Sequence, residues 1–195
     1  EAGKNALTAL LNLVNRLPLA ECAQKDYVKK LTGLFPHGDL NGEALGIKMK
    51  DELSGDLTLV LSLLTIDGGS LDGTFDARCP ICSNEENTLK VVKEAMAQKG
   101  MTLHNKEMTP PHHVDGSSDF VKTLLKAYED YTGRKGECQA IGGGTYVHHL
   151  KNGVAFGASM PETDNRMHGA DEFAVIDELV VSAEIFAQVM IDLCA

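Results

Sequence analysis

The sequence predicts an α+β piece with an antiparallel sheet over residues 1–110, followed by part of an α/β domain over residues 111–195. Three observations carry this. Before Pro110-Pro111 the apolar pattern reads helix–helix–strand–strand–helix–strand. The proline pair itself punctuates the chain. After it come a helix, a short strand, the run Gly142-Gly143-Gly144, a second strand and a long terminal helix.

The elements follow in order. Over Asn5–Leu17, apolar residues at Ala6, Leu7, Leu10, Leu11, Leu13, Val14 and Leu17 recur at helical spacing until Pro18 stops them. Gln24–Phe35 is a second helix, with Tyr27, Val28, Leu31 and Leu34 on one face and Pro36 behind it. The Gly-rich, acidic stretch from His37 to Gly46 is a loop. Leu57–Ile66 is a buried strand, Gly68-Gly69 a turn, and Ser70–Arg78 the returning strand of a hairpin. Asn84 caps a helix over Glu85–Lys99, with Gly100 closing it. Met101–Met108 alternates Met101 and Leu103 with Thr102 and His104, which predicts a strand. Ser117–Tyr131 is a helix ended by Gly133, Glu137–Ile141 a short strand, and Val154–Ala158 a strand within the stretch Gly153–Ser159. Asp177 is the N-cap of a final helix reaching Cys194. Some 80 residues holding helices and two short strands amount to half a sheet and want a partner to cover them.

Composition narrows the function classes. With 28 acidic against 18 basic residues and a net charge of −10, the chain has nothing to release counterions from nucleic acid. No apolar run approaches the roughly 20 residues of a membrane span. The first residues, Glu1-Ala2-Gly3-Lys4, are not a signal peptide and lack Met, so the chain is expected to be processed or a piece of something longer. Five cysteines, at 22, 79, 82, 138 and 194, fit a reducing cytoplasm better than a disulfide framework. Cys79-Pro80-Ile81-Cys82 has the spacing of a redox or zinc motif, but no second pair matches it; two incidental loop cysteines are the alternative.

Several residues invite a chemical role, each beside a plainer one. His168, in His168-Gly169-Ala170-Asp171-Glu172, sits on a loop ahead of a helix, where α/β enzymes place ligands for metals or substrates. The alternative is a solvated surface histidine. Arg78 ends a strand before Cys79-Pro80; its guanidinium suits bidentate recognition of a carboxylate, or it lies along a sheet edge. Gly142, Gly143, Gly144 and Thr145 offer backbone N–H groups to an anion, or form a tight turn that needs glycine conformations. His148 and His149 are adjacent and cannot chelate one ion from one helical face, which leaves one of them to face a cleft. His112-His113 reads as polar linker. Met160 and Met167 flank the His168 loop and are expected to pack under it.

Taken together, Gly142-Gly143-Gly144-Thr145-Tyr146, a strand, His168-Gly169-Ala170-Asp171-Glu172-Phe173 and a helix resemble the C-terminal end of zinc metallopeptidases of the aminoacylase and carboxypeptidase G type. Within that group the pattern is most similar to peptidase V-like, Xaa-His dipeptidases. Asp76-Ala77-Arg78-Cys79-Pro80 is similar to the family's strand ending in Asp-x-Arg-x-Pro, and Glu1-Ala2-Gly3-Lys4-Asn5-Ala6 to the tail of its lid motif. The pieces stand in the family's order along nearly the whole chain.

The resemblance implies a lid domain over residues 1–110, lacking its first strand, with an antiparallel sheet and helices on one face. It implies that residues 111–195 are the C-terminal part of an α/β zinc-peptidase catalytic domain. It further implies a dinuclear zinc site with His168 as the one ligand from this chain, and amide hydrolysis of small peptides by metal-activated water. Asp171 and Glu172 would be loop companions of His168. Arg78, Gly143, Gly144, Thr145 and His148 would hold substrate. Where family members continue Thr-Tyr-Ala with arginine, this chain has Val147-His148-His149, which bears on specificity. The family's N-terminal metal motifs and its glutamate base do not occur here, and its lid histidine would precede Glu1. The chain by itself is therefore expected to be inactive, with the N-terminal catalytic half as its partner and a homodimer through the lid as a further possibility. A deacylase or carboxypeptidase is the enzymatic alternative, and a non-catalytic dimerisation module the other.

Overall fold

A computed structural model describes residues 4–157 and 160–194. The chain divides into two compact units, the first running up to His112 with Ala140–Gly143 added, the second comprising His113–Gln139 and the residues from Gly144 onward.

In the first unit, α1 (Ala6–Arg16) starts where the Asn5 side chain accepts the Thr8 N–H and ends two residues before Pro18. The Asn5 amide also donates to the Leu61 carbonyl at 2.8 Å, tying the start of α1 to a strand. Helix α2 (Ala23–Leu34) turns Val28, Leu31 and Leu34 inward. A short ribbon, β1 (Lys50–Asp51) with β2 (Gly55–Asp56), was not foreseen. Next come β3 (Thr58–Asp67) and β4 (Ser70–Arg78), paired antiparallel from Asp67↔Ser70 to Thr58↔Arg78 with a bulge between Leu61 and Leu63. That register leaves Arg78 at the end of the hairpin remote from its turn. At the turn end, Tyr27 Oη donates to the Gly69 carbonyl at 2.5 Å and Gln24 to that of Gly68, fastening the hairpin to α2.

The core of this unit joins Leu11, Val28, Leu31 and Leu34 of the helices to Leu57, Leu59 and Leu61 and to Leu45 and Ile47 from the loop between. The loop reaches inward because of Asp39. Its carboxylate accepts the N–H groups of Asn41, Glu43 and Ala44 at 2.9–3.1 Å. Burial pushes this carboxyl up, but the donors from Ala44, Glu43, Asn41 and Gly42 outweigh it and hold it below the usual range. Gly42 lies at φ +73°, and a Cβ there would meet Ile47 Cγ1 at 2.6 Å, so the turn requires glycine.

The helix expected over Glu85–Lys99 begins as a π-helical turn (Glu85–Leu89) capped by Asn84 and continues as α3 (Lys90–Gln98). The strand expected over Met101–Met108 is absent. Met101 and Leu103 do pack on the core, which accounts for the alternation, but no strand pairs with the segment among the described residues. The sheet content of the described residues is accordingly two separate two-stranded ribbons.

In the second unit, α4 (Asp119–Thr132) is capped by Ser118 and stopped by Gly133 at φ +66°. Helix α5 (Ile176–Cys194) packs on α4 through Leu124, Ala127, Ile185 and Val189. Asp177 lies inside the first turn of α5 and is not its N-cap, since the helix already includes Ile176. Neither Glu137–Ile141 nor residues 154–157 form a strand. Val154 and Phe156 pack on the α4–α5 core, so their alternation records burial without a ladder. Ala158 and Ser159, the end of the expected strand, lie outside the described residues, as do Glu1, Ala2 and Gly3 of the lid-like motif.

Candidate functional site

Arg78 closes β4 in the first unit. Its side chain is exposed and makes no ion pair or hydrogen bond with the described residues. The glycine run meets it: a Cβ on Gly142 would stand 3.2 Å from Arg78 Cδ, 3.7 Å from its Cβ and 3.9 Å from Nη1. Gly142 therefore gives the arginine stem its room. None of Gly142, Gly143 and Gly144 has a positive φ, so the expectation that they need glycine conformations is corrected; close approach is the requirement at Gly142. A Cβ at Gly143 would meet nothing within 4 Å, and its N–H makes no hydrogen bond with the described residues.

In the second unit, Gly144 has the same open surroundings. Thr145 precedes a 3-10 turn (Tyr146–His149), and its N–H lies 3.2 Å from His148 Nδ1. One donor of the expected anion nest is thus already engaged. His148 is half-buried by that contact, whereas His149 is exposed. Tyr146 projects at 94% exposure, a feature the sequence did not single out.

The His168 loop is braced at its base and at its tip. At the base, Arg134 reaches from the end of α4 to Glu162 with Nε–Oε1 3.3 Å and Nη2–Oε2 3.0 Å. The Arg134 guanidinium holds the Glu162 carboxyl below its ordinary value. Arg134 Nη1 also lies 3.7 Å from Met160 Sδ, and Met160 is buried as expected. Met167 is not: at 67% exposure it packs under nothing in the described structure. Thr163 Oγ1 donates to Glu178 in the first turn of α5. At the tip, Phe173 N–H donates to the Asn165 carbonyl at 3.2 Å and Gly169 N–H to that of Arg166 at 2.7 Å. Arg166 Nη1 pairs with Asp171 Oδ2 at 3.6 Å, and His168 N–H donates to Glu172 Oε2 at 3.3 Å.

This bracing holds an uncommon backbone. Arg166, His168 and Asp171 have φ of +56°, +64° and +57°. For residues with a Cβ such geometry costs about 1–2 kcal/mol each and persists only where the surroundings impose it. Strain of this kind gathers at functional sites. The His168 side chain is exposed, and its ring makes no hydrogen bond or ion pair with the described residues. Among the described residues no group of three or more His, Cys, Asp or Glu comes together as a metal site. An exposed imidazole on a cross-braced loop is a donor type that suits zinc, and a complete site would need further donors beside it.

The sequence missed the left-handed residues because none is glycine. The signals that could have found them are Asp164 and Asn165, whose side chains accept the N–H groups of Arg166 and Met167 two residues on. The i,i+4 spacing of His168 and Glu172 is a further signal. Cys79 is half-buried, its thiol pushed up by burial, and Cys82 is exposed; all five cysteines are free. No helix among the described residues is long and apolar enough to cross a membrane.

Comparison with known proteins adds the family. The putative dipeptidase YtjP of Bacillus subtilis is 35% identical over 195 residues, covering 98% of this chain and 40% of that protein. The Beta-Ala-Xaa dipeptidase of Lactobacillus delbrueckii subsp. lactis is 33% identical over 194 residues, 99% of this chain and 41% of the relative. The putative dipeptidase SH1171 of Staphylococcus haemolyticus is 30% identical with similar coverage. The chain spans about two fifths of the length of these curated relatives. The family model "Peptidase family M20/M25/M40" matches residues 18–192, and the chain belongs to that family.

Proposed function

We propose that this chain is the C-terminal portion of a zinc-dependent dipeptidase, with residues 1–110 as most of a lid domain and 111–195 as the closing part of the catalytic domain. The observation that carries the reading is the His168 loop: a strained, cross-braced segment of a family M20/M25/M40 chain that presents a bare imidazole ahead of a helix. In the complete enzyme His168 is one zinc ligand, and the other donors and the general base belong to the N-terminal half. Zinc bound there supplies Lewis-acid chemistry for water attack on the amide carbonyl.

The chain's own residues bind and orient. Arg78, unpaired among the described residues and beside Gly142, takes the C-terminal carboxylate of a small peptide through its guanidinium fork. Gly143 and Gly144 contribute open N–H groups. His148 supports the Thr145 turn through Nδ1, and Val147-His148-His149 stand where many family members continue Thr-Tyr-Ala with an arginine, a difference that bears on substrate preference.

Partnership with an N-terminal half is supported by α5, which leaves Ile176 (75%), Met190 (61%) and Ile191 (60%) exposed. Among the described residues no third strand pairs with the β3–β4 hairpin; Leu40 and Asn5 occupy part of the β3 edge, and the edge of β4 is the one that supports a homodimer through the lid. Five free cysteines support a cytoplasmic location.

The test is zinc content and dipeptidase activity of this chain, alone and mixed with the N-terminal half of its parent. Zinc and activity only in the mixture are the expected result. Activity in this chain alone contradicts the division of ligands, and neither in any combination favours a non-catalytic module. A substrate panel separates a dipeptidase from a deacylase or carboxypeptidase.

A further inference from the structure

We propose that Glu172 is a positioning residue for His168, directing its imidazole through the main chain without touching the ring. This rests on the reading of His168 as a metal ligand. Metal-binding histidines are ordinarily oriented by a hydrogen bond at the second ring nitrogen. The His168 ring has no such partner among the described residues, so its direction is set at the backbone.

At φ +64° the Cα–Cβ bond of His168 points where neither helical nor extended backbone would send it. Release of that conformation swings the ring away by the full rotation about N–Cα. The Gly169 N–H bond to the Arg166 carbonyl closes the turn whose central residues are Met167 and His168, while Arg166 with Asp171 and Phe173 N–H with the Asn165 carbonyl brace residues on either side. Of the side chains in the loop, it is the Glu172 carboxylate that bonds the His168 main chain, accepting its N–H at 3.3 Å and fastening the turn to the residues that follow it. An ionised acceptor makes such a bond roughly twice as strong as a neutral one. Gly169 leaves the turn little slack, since a Cβ there would stand 2.9 Å from the Arg166 carbonyl oxygen.

The experiment compares E172A, E172Q and H168A in two readouts. In this chain, amide hydrogen exchange at His168 is followed by NMR. In the complete protein, zinc affinity is measured by competition with a chelator. E172A is expected to speed exchange at His168 about tenfold and to weaken zinc binding at least about tenfold. E172Q keeps an acceptor oxygen and stays within about threefold of the native protein in both. Faster exchange in E172A with unchanged zinc affinity overturns the proposal, because Glu172 is then only structural. Weaker zinc binding with unchanged exchange overturns it as well, since Glu172 then acts on the metal directly, and so does an E172Q as damaged as E172A. H168A separates the two readings: if it leaves zinc affinity intact, the ligand assignment itself falls. If H168A weakens binding and E172A does not, only the positioning role falls.

Discussion

The contact between Gly142 and Arg78 makes a prediction that links packing to substrate binding. On the proposed role of Arg78, truncating the guanidinium in R78A removes a charge-assisted, bidentate interaction with a substrate carboxylate, worth about 1.5–3 kcal/mol. At about 1.4 kcal/mol per factor of ten, the loss in kcat/KM is about 10- to 150-fold. R78K retains the charge without the fork and recovers part of it. The structure then grades substitutions at Gly142. An Ala Cβ stands 3.2 Å from Arg78 Cδ, a contact that a flexible stem relieves by shifting a few tenths of an ångström, so G142A changes kcat/KM by less than about threefold. A Val adds two methyls toward atoms already at 3.7 and 3.9 Å and displaces the guanidinium, so G142V approaches R78A. The assay is steady-state hydrolysis of a dipeptide and of the same dipeptide with its C-terminus amidated. Only the free carboxylate substrate should respond, and G142V should add nothing in the R78A background. An R78A effect below threefold, an equal effect on the amidated substrate, or full additivity of the two substitutions refutes the reasoning.

Other expected outcomes follow from the first unit. Leu57 is fully buried at 0% exposure, so L57A should destabilise this unit by about 2–5 kcal/mol in urea unfolding, against little change for the exposed Leu53. Asp51 has its carboxyl lowered to about 2, first by the Ser54 hydroxyl and then by backbone N–H donors including Cys82. A depressed folded-state pKa contributes stability that is present above the unfolded value near 4 and lost as pH falls toward 2. Acid unfolding of D51N should therefore be flatter than that of the native chain in this window; equal slopes contradict the assignment. Cys79 is half-buried with its thiol pushed up, so maleimide labelling followed by mass spectrometry should modify it after Cys22, Cys82, Cys138 and Cys194. Labelling of Cys79 ahead of these contradicts the local packing.

The sequence revealed what local chemistry decides. Asn84 caps the helix it was expected to cap, Pro18 and Gly133 follow helix ends, and Gly68-Gly69 turns a hairpin whose returning strand matches the expected bounds. It misled where a pattern records burial and nothing else. Met101, Leu103, Val154 and Phe156 alternate because they pack on cores, yet a strand needs a hydrogen-bonding neighbour from a distant part of the chain. At the candidate site, residue type and order singled out Arg78 and the His168 loop as candidates, but not their geometry. That Gly142 is there to let Arg78 by, and that His168 is left-handed, depend on contacts and dihedrals that no spacing encodes.

The most direct test of the proposed function is the zinc stoichiometry of the complete protein with and without the His168 imidazole. H168A should lower bound zinc and reduce dipeptide hydrolysis by at least about a hundredfold, with the fold retained by circular dichroism. Full zinc content and undiminished hydrolysis in a folded H168A protein would contradict the assignment of this loop as a metal ligand.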